Sequence, residues 1–261
     1  MYNKIITLLS ILVSILLVLA LIYHVALFAS ARSYSFDGFR ITDKSPRTHS
    51  HKEPSDSAMR ARIHQLSALL NKNAFLTNRS ILARQDSIYL SFQIADSTLS
   101  LEMKGVPLYT SKVTRITMSG IFKDIPDSIL NAWLSTPFTI RHHESSIPKE
   151  DIIFRKAPKD TLEYLSTQTT PEAPKFDPTY FRLSFDRGLD LYVEQSEPAA
   201  RAKRNFYRGL RRTRLKNNLD SLISGKLPAY TPWIKIEISQ KDALSIYRSL
   251  PGKGYMALSF K

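Results

Sequence analysis

The sequence predicts a mainly β domain, a sandwich or partly open barrel of the α+β kind, behind an N-terminal transmembrane helix and with one or two further helices. Three observations predict it. The first 31 residues contain a long uncharged apolar run, the region from 85 onward alternates apolar and polar residues in paired short stretches, and 199–223 concentrates basic residues at helical spacing. The expected organisation is an anchor at 1–31, a juxtamembrane linker at 32–54, a helical segment at 55–84, and a mainly β domain at 85–261 with a basic insert at 199–223.

From Ile5 to Ala31 the chain is uncharged, and these 27 residues are mostly Leu, Ile, Val and Ala. As a helix rising about 1.5 Å per residue, the run exceeds the roughly 30 Å of bilayer hydrocarbon, so a tilted or partly interfacial span is expected. Ala29-Ser30-Ala31 has the small residues of a cleavage site, but the apolar run far exceeds the roughly 7–15 residues of a signal h-region, and a retained signal anchor is expected. The flanks point two ways. Lys4 before the span against Arg32, Arg40, Lys44 and Arg47 after it favours a cytoplasmic C-terminal part. A short tail ending in Lys is how signal anchors begin, and long domains translocate largely regardless of charge. On that ground the expected location is the inner (cytoplasmic) membrane, single-pass, with the domain outside the cytoplasm.

Residues 33–54 lack helical or strand period and are rich in Ser, Pro and basic residues; His49 and His51 there have no third ligand nearby and read as solvated. Ser55 or Asp56 caps a helix carrying Met59, Ile63, Leu66, Leu69 and Leu70, a stripe expected to pack on the domain or on a second protomer. Ile88, Leu90, Phe92 and Ile94 then alternate with polar residues, and after Ala95-Asp96-Ser97-Thr98 the alternation resumes at Leu99, Leu101 and Met103, a hairpin with one buried face. Short strands are expected around Val106–Tyr109 and Val113–Met118, with Ser111 in a loop between them. Ile129–Leu134 reads as a helical turn, and the stretch from there to Pro178 as long connecting loops. Phe181, Leu183 and Phe185, the turn Asp186-Arg187-Gly188, and Leu189, Leu191 and Val193 form a second hairpin. Ile234, Ile236 and Ile238 give another strand, Ser239-x-x-Asp242 starts a helix with Leu244, Tyr247 and Leu250, Pro251-Gly252 stops it, and Tyr255–Phe260 closes the domain. Trp133 and Trp233 read as core or rim.

The opening hairpin IYLSFQIADSTLSLEMKGVPLYTSKV (88–113) resembles the start of L,D-transpeptidase (YkuD-like) catalytic domains, and DALSIYRSLPGKGYMALSF (242–260) resembles their end. Those enzymes use a Ser-His-Gly-Cys segment whose cysteine attacks a peptidoglycan stem peptide, with a further His-Gly upstream. This chain has no cysteine and no His-Gly pair. The resemblance therefore implies a non-catalytic relative and carries over no functional residue.

In place of that motif lies the segment RAKRNFYRGLRRTRLK, in which Arg201, Lys203, Arg204, Arg208, Arg211, Arg212, Arg214 and Lys216 occur without one acidic residue. The whole chain has 37 Lys plus Arg against 23 Asp plus Glu, a net charge of +14, so these eight residues supply most of the excess. Phe206, Leu210, Leu215, Leu219 and Leu222 recur near helical spacing, which predicts an amphipathic helix with the basic residues on its outer face. Such a helix suits anionic lipid, a cell-wall polymer or an acidic envelope protein, or is a solvated face. Phe206 and Tyr207 could stack on bases, but no nucleic-acid motif accompanies them and nucleic acid is not the expected partner.

Other chemistry is excluded or unsupported. The absence of cysteine removes disulfides, thiolate metal sites and cysteine nucleophiles. His142-His143-Glu144 lacks a second histidine one helical turn on and reads as a surface loop; Asp124 with Asp127 and Glu150 with Asp151 read as solvated. No cofactor or metal is expected. The expected function is a membrane-anchored, non-catalytic cell-envelope binding or scaffolding protein. The alternatives are a cell-wall enzyme with a non-cysteine active site and a cytoplasm-facing nucleic-acid-binding protein.

Overall fold

The computed structural model describes residues 2–33, 57–149, 177–228 and 230–260; the linker histidines His49 and His51, and the pair Glu150 and Asp151, lie outside the described residues. Helix α1 covers Tyr2–Ser33 and helix α2 Ser57–Ala83. Among the described residues no helix is long and apolar enough to cross a membrane. In α1 the unbroken stretch with described side chains is 11–27, about 26 Å of helix against roughly 30 Å of hydrocarbon.

Alternation builds the sheet. β1 (Tyr89–Gln93) and β2 (Thr98–Met103) form the expected hairpin, pairing Leu90 with Leu101 and Phe92 with Leu99. β3 (Val106–Lys112) continues antiparallel, so Ser111 sits buried within a strand and donates to Asp242 Oδ2 at 2.6 Å, where a loop was expected. β4 (Arg115–Met118) follows after only two residues yet pairs with β8 (Trp233–Ile238) at the opposite edge. Helices α3 (Ile121–Asp124) and α4 (Asp127–Leu134) precede β5 (Phe138–Ser145). This strand corrects the expectation of loop: Phe138 and Ile140 point inward, but the exposed His142 and His143 mask the alternation beyond them.

β6 (Phe181–Phe185) and β7 (Asp190–Gln195) make the second hairpin, with Arg187 at φ 59 in its turn. Helix α5 (Ala200–Ile223) is the basic insert, α6 (Gln240–Ser249) is capped by Ser239 Oγ accepting from Asp242 N, and β9 (Tyr255–Ser259) ends the fold. The architecture is one nine-stranded mixed sheet, ordered β3-β2-β1-β9-β5-β6-β7-β8-β4, with several helices. That corrects a mainly β fold with one or two added helices to a mixed α/β one.

Two features curl this sheet over a single core. β5 pairs with β9 at Phe138 and Thr139 and with β6 from Ile140 onward, with a register shift between Ile140 and His142, so the sheet bends there. At the other end Val113 N donates to Ser97 O and Thr114 N to Glu237 O, both at 2.8 Å, which anchors the two-residue link between the edge strands to the β1–β2 turn and to β8. Leu90, Phe92, Leu99 and Leu101 from one half thus share a core with Leu183, Leu191, Ile234 and Ile236 from the other. Trp133 of α4 and Ile246 and Tyr247 of α6 seal it.

Helix α2 packs outside, where Phe75 and Leu82 meet Tyr89 and Ala257 and Asn78 donates to Leu134 O. The stripe expected to do this does not: Met59, Ile63, Leu66, Leu69 and Leu70 are exposed, and the contact comes from the C-terminal half of the helix.

Candidate functional site

Alternation has a second consequence on β6, β7 and β8. With Leu183, Leu191 and Ile234 turned inward, Arg182, Ser184, Asp190, Tyr192, Glu194, Trp233 and Lys235 must face outward. Strand register aligns them in rows: Glu144, Arg182, Tyr192 and Lys235 are successive cross-strand neighbours, as are Ser184, Asp190 and Trp233. The result is a polar sheet face, and the N-terminal half of α5 lies over it.

The carboxylates of this face fix the helix. Arg182 forks onto Glu144 with two 2.6 Å hydrogen bonds and reaches Asp190 at 3.4 Å. Burial lowers the affinity of Arg182 for its proton, but the bond to Glu144 and the charge of Asp190 outweigh it and raise its pKa above the ordinary value. Burial raises the pKa of Asp190 despite the hydrogen bond from Ser184 and the charges of Arg182 and Arg214. Glu194 is 1% exposed and accepts from Lys203 and from Tyr207, with Lys235 at 3.8 Å. Burial pushes its pKa up, yet the two donors and two lysines prevail and hold it below the usual carboxylate value. The Tyr207 hydroxyl is raised, first by burial and then by Glu194. Its ring stacks on Tyr192 at 6.4 Å, while Phe206 stacks on Tyr180.

The eight expected binding residues separate into groups. All are exposed on α5. Lys203 is engaged by Glu194. Arg204, Arg208, Arg211 and Arg212 line an outer groove with Tyr207 and Leu215, and Arg201 borders a shallower one near Pro178. Lys216 lies beyond both grooves. Arg211 and Arg214 also turn toward the sheet and close, with Arg182, Tyr192, Tyr207, Leu210, Trp233 and Lys235, a recess of about 230 Å³. The basic residues are therefore not confined to an outer face. Arg182, Tyr192 and Lys235 escaped the sequence reading, and Trp233 was read as core or rim; their signal was the polar half of the alternation that identified the strands.

The expected apolar stripe splits as well. Phe206 is buried and Leu210 half-buried, but Leu215 and Leu219 are 46% and 44% exposed, joined by Ile223 at 84% and Leu227 at 53%. A 24-residue helix is about 36 Å long, and only its first half lies on the sheet. Its second half meets α1 instead: Asn218, 7% exposed, donates to Tyr23 Oη at 3.2 Å, close to the buried Ala26.

Among the described residues no three His, Asp or Glu side chains are grouped to hold a metal ion. Compared with known proteins, the chain matches no family model and no curated protein.

Proposed function

We propose that this protein is a membrane-anchored, non-catalytic binding or scaffolding protein of the cell envelope, single-pass in the inner membrane with its domain outside the cytoplasm, and that α5 docks it on an anionic surface. The observation that carries this reading is the placement of α5. Its exposed Leu215, Leu219 and Ile223 emerge beside Arg208, Arg212 and Lys216, and its C-terminal half bonds to the apolar helix α1 through Asn218 and Tyr23. Exposed apolar residues flanked by cations are what an interfacial helix presents to anionic lipid. With α1 as the anchor, the same contact holds α5 beside the bilayer. The degenerate L,D-transpeptidase-like character of the domain belongs to this proposal and rests on the segments 88–113 and 242–260.

The test is co-sedimentation of the chain from Lys52 onward with vesicles of neutral lipid or with one-third phosphatidylglycerol. Binding only to the anionic vesicles, weakening as salt rises, is expected. Replacing Arg204, Arg208 and Arg212 by Gln should weaken it by about a hundredfold at low salt, at about 1 kcal/mol per charge. Equal binding to neutral vesicles, or no change in the triple variant, contradicts the proposal.

A further inference from the structure

The recess beneath α5 has a different character from the outer face of the helix. Its floor is Arg182, Tyr192 and Lys235, aligned across three strands; Trp233 forms one wall, and Tyr207, Leu210, Arg211 and Arg214 form the roof. It is partly enclosed between two elements, and such a cavity of about 230 Å³ is smaller than the roughly 300–1,000 Å³ of sites for drug-sized ligands. That size admits one small ring or short chain, whether free or presented as a headgroup.

Charge counting specifies the rest. Around the recess stand five cations, Arg182, Lys203, Arg211, Arg214 and Lys235, against three carboxylates, Glu144, Asp190 and Glu194. Arg182 is held by Glu144 and Asp190, and Lys203 by Glu194. Neither Arg211 nor Arg214 comes within ion-pair distance of a described carboxylate, although the charge of Arg214 reaches Asp190, and five cations against three carboxylates leave a surplus of two positive charges around the recess. Two guanidiniums three positions apart on one helix face present fork-shaped donors to the same point. A phosphomonoester carries about −1.5 to −2 at neutral pH, with three acceptor oxygens to receive them. The stacked pair Tyr192 and Tyr207, with Trp233 across the recess, supplies flat apolar walls for the body that bears the phosphate.

We propose that this recess binds a phosphomonoester carried on a small planar or apolar body, with Arg211 and Arg214 on the phosphate and Tyr192, Tyr207 and Trp233 around the body. The recess shares Arg211 and Tyr207 with the outer groove, but the proposal rests on the recess alone and does not depend on the reading of the outer face. Its ligand is either a soluble phosphate ester or the headgroup of a phosphomonoester lipid, which share this chemistry.

Trp233 makes the site observable, because the other tryptophan, Trp133, is wholly buried in the core and gives a constant background. The full chain in non-ionic detergent is titrated with phenyl phosphate while tryptophan emission is followed, with calorimetry for stoichiometry. Saturable one-to-one binding is expected, with inorganic phosphate weaker and phenol inert. Arg214→Gln and Arg211→Gln should each weaken binding by roughly ten- to a hundredfold, as for the loss of a charged hydrogen bond. Both side chains are exposed, so the fold survives, and an unchanged melting temperature verifies it. Arg208→Gln with Arg212→Gln should leave phenyl phosphate binding intact while reducing vesicle binding, which keeps failure of this site distinct from failure of the surface reading. Competition by dihexanoyl phosphatidic acid, but not by dihexanoyl phosphatidylglycerol, identifies a lipid headgroup; competition by neither identifies a soluble ester. No saturable response, an equal response to phenol, or binding unaffected in both the Arg211 and Arg214 variants overturns the proposal.

Discussion

Glu194 shows how a single buried charge positions a helix. It points from β7 into the interface with α5 and receives Lys203 and Tyr207 from successive turns of that helix. Glu194→Gln keeps the shape and removes the charge, and should cost about 2–3 kcal/mol at neutral pH. That is below the 3–5 typical of a broken buried pair, because the Lys203 side chain is 46% exposed. The pH dependence follows from the depressed pKa. Its contribution is complete above the unfolded carboxylate value of about 4.3 and is lost as pH falls through the lower folded value. Denaturant titrations should therefore show the gap between wild type and variant closing in acid; a gap that persists there contradicts this role. Arg187 is a second such residue. At φ 59 in the β6–β7 turn, it donates to Trp133 O and Thr136 O and lies 3.8 Å over the Phe138 ring. Arg187→Ala should cost about 2 kcal/mol or more, and Arg187→Gly should recover roughly 1 kcal/mol of that by relieving the left-handed backbone. Equal unfolding midpoints for Gly and Ala would show that the turn is unstrained.

Among the elements, α5 combines two helices' worth of function in one. Its first half is held by polar contacts to the sheet, and its second half leaves the sheet and exposes Leu215, Leu219 and Ile223. Replacing Leu215 and Leu219 with Ser should lower affinity for anionic vesicles by about tenfold or more, since burying one such side chain contributes about 1.5–3 kcal/mol. The thermal midpoint should stay put; a marked fall would mean these leucines pack within the fold. The helix itself was legible from its basic run and apolar spacing, and both hairpins from period-2 alternation. What could not be read was which sheet face the helix covers. Residues such as Arg182 and Lys235 look like ordinary solvent-facing strand positions until register places them in a row under Arg211 and Arg214. β5 was lost because two polar residues, His142 and His143, follow Ile140 and interrupt the alternation, so only Phe138 and Ile140 carry the strand signal.

At the scale of the molecule, one bend and one two-residue link turn nine strands into a shell around one core. Local patterning cannot reveal this: β3 and β4 are nearly continuous in sequence, yet they are opposite edges of the sheet. The shell places α5 and α1 together, and the proposed function turns on that juxtaposition: with α1 as an anchor, the cationic helix would lie at a membrane surface. The absence of native cysteine allows a direct test. Ile223→Cys, at a side chain 84% exposed, is labelled with an environment-sensitive fluorophore in the full chain and reconstituted into liposomes containing phosphatidylglycerol. Blue-shifted emission, quenching by a shallow lipid-borne quencher, and partial reversal by high salt are expected. Emission matching the detergent-free aqueous dye, with no quenching from the lipid, would contradict that placement.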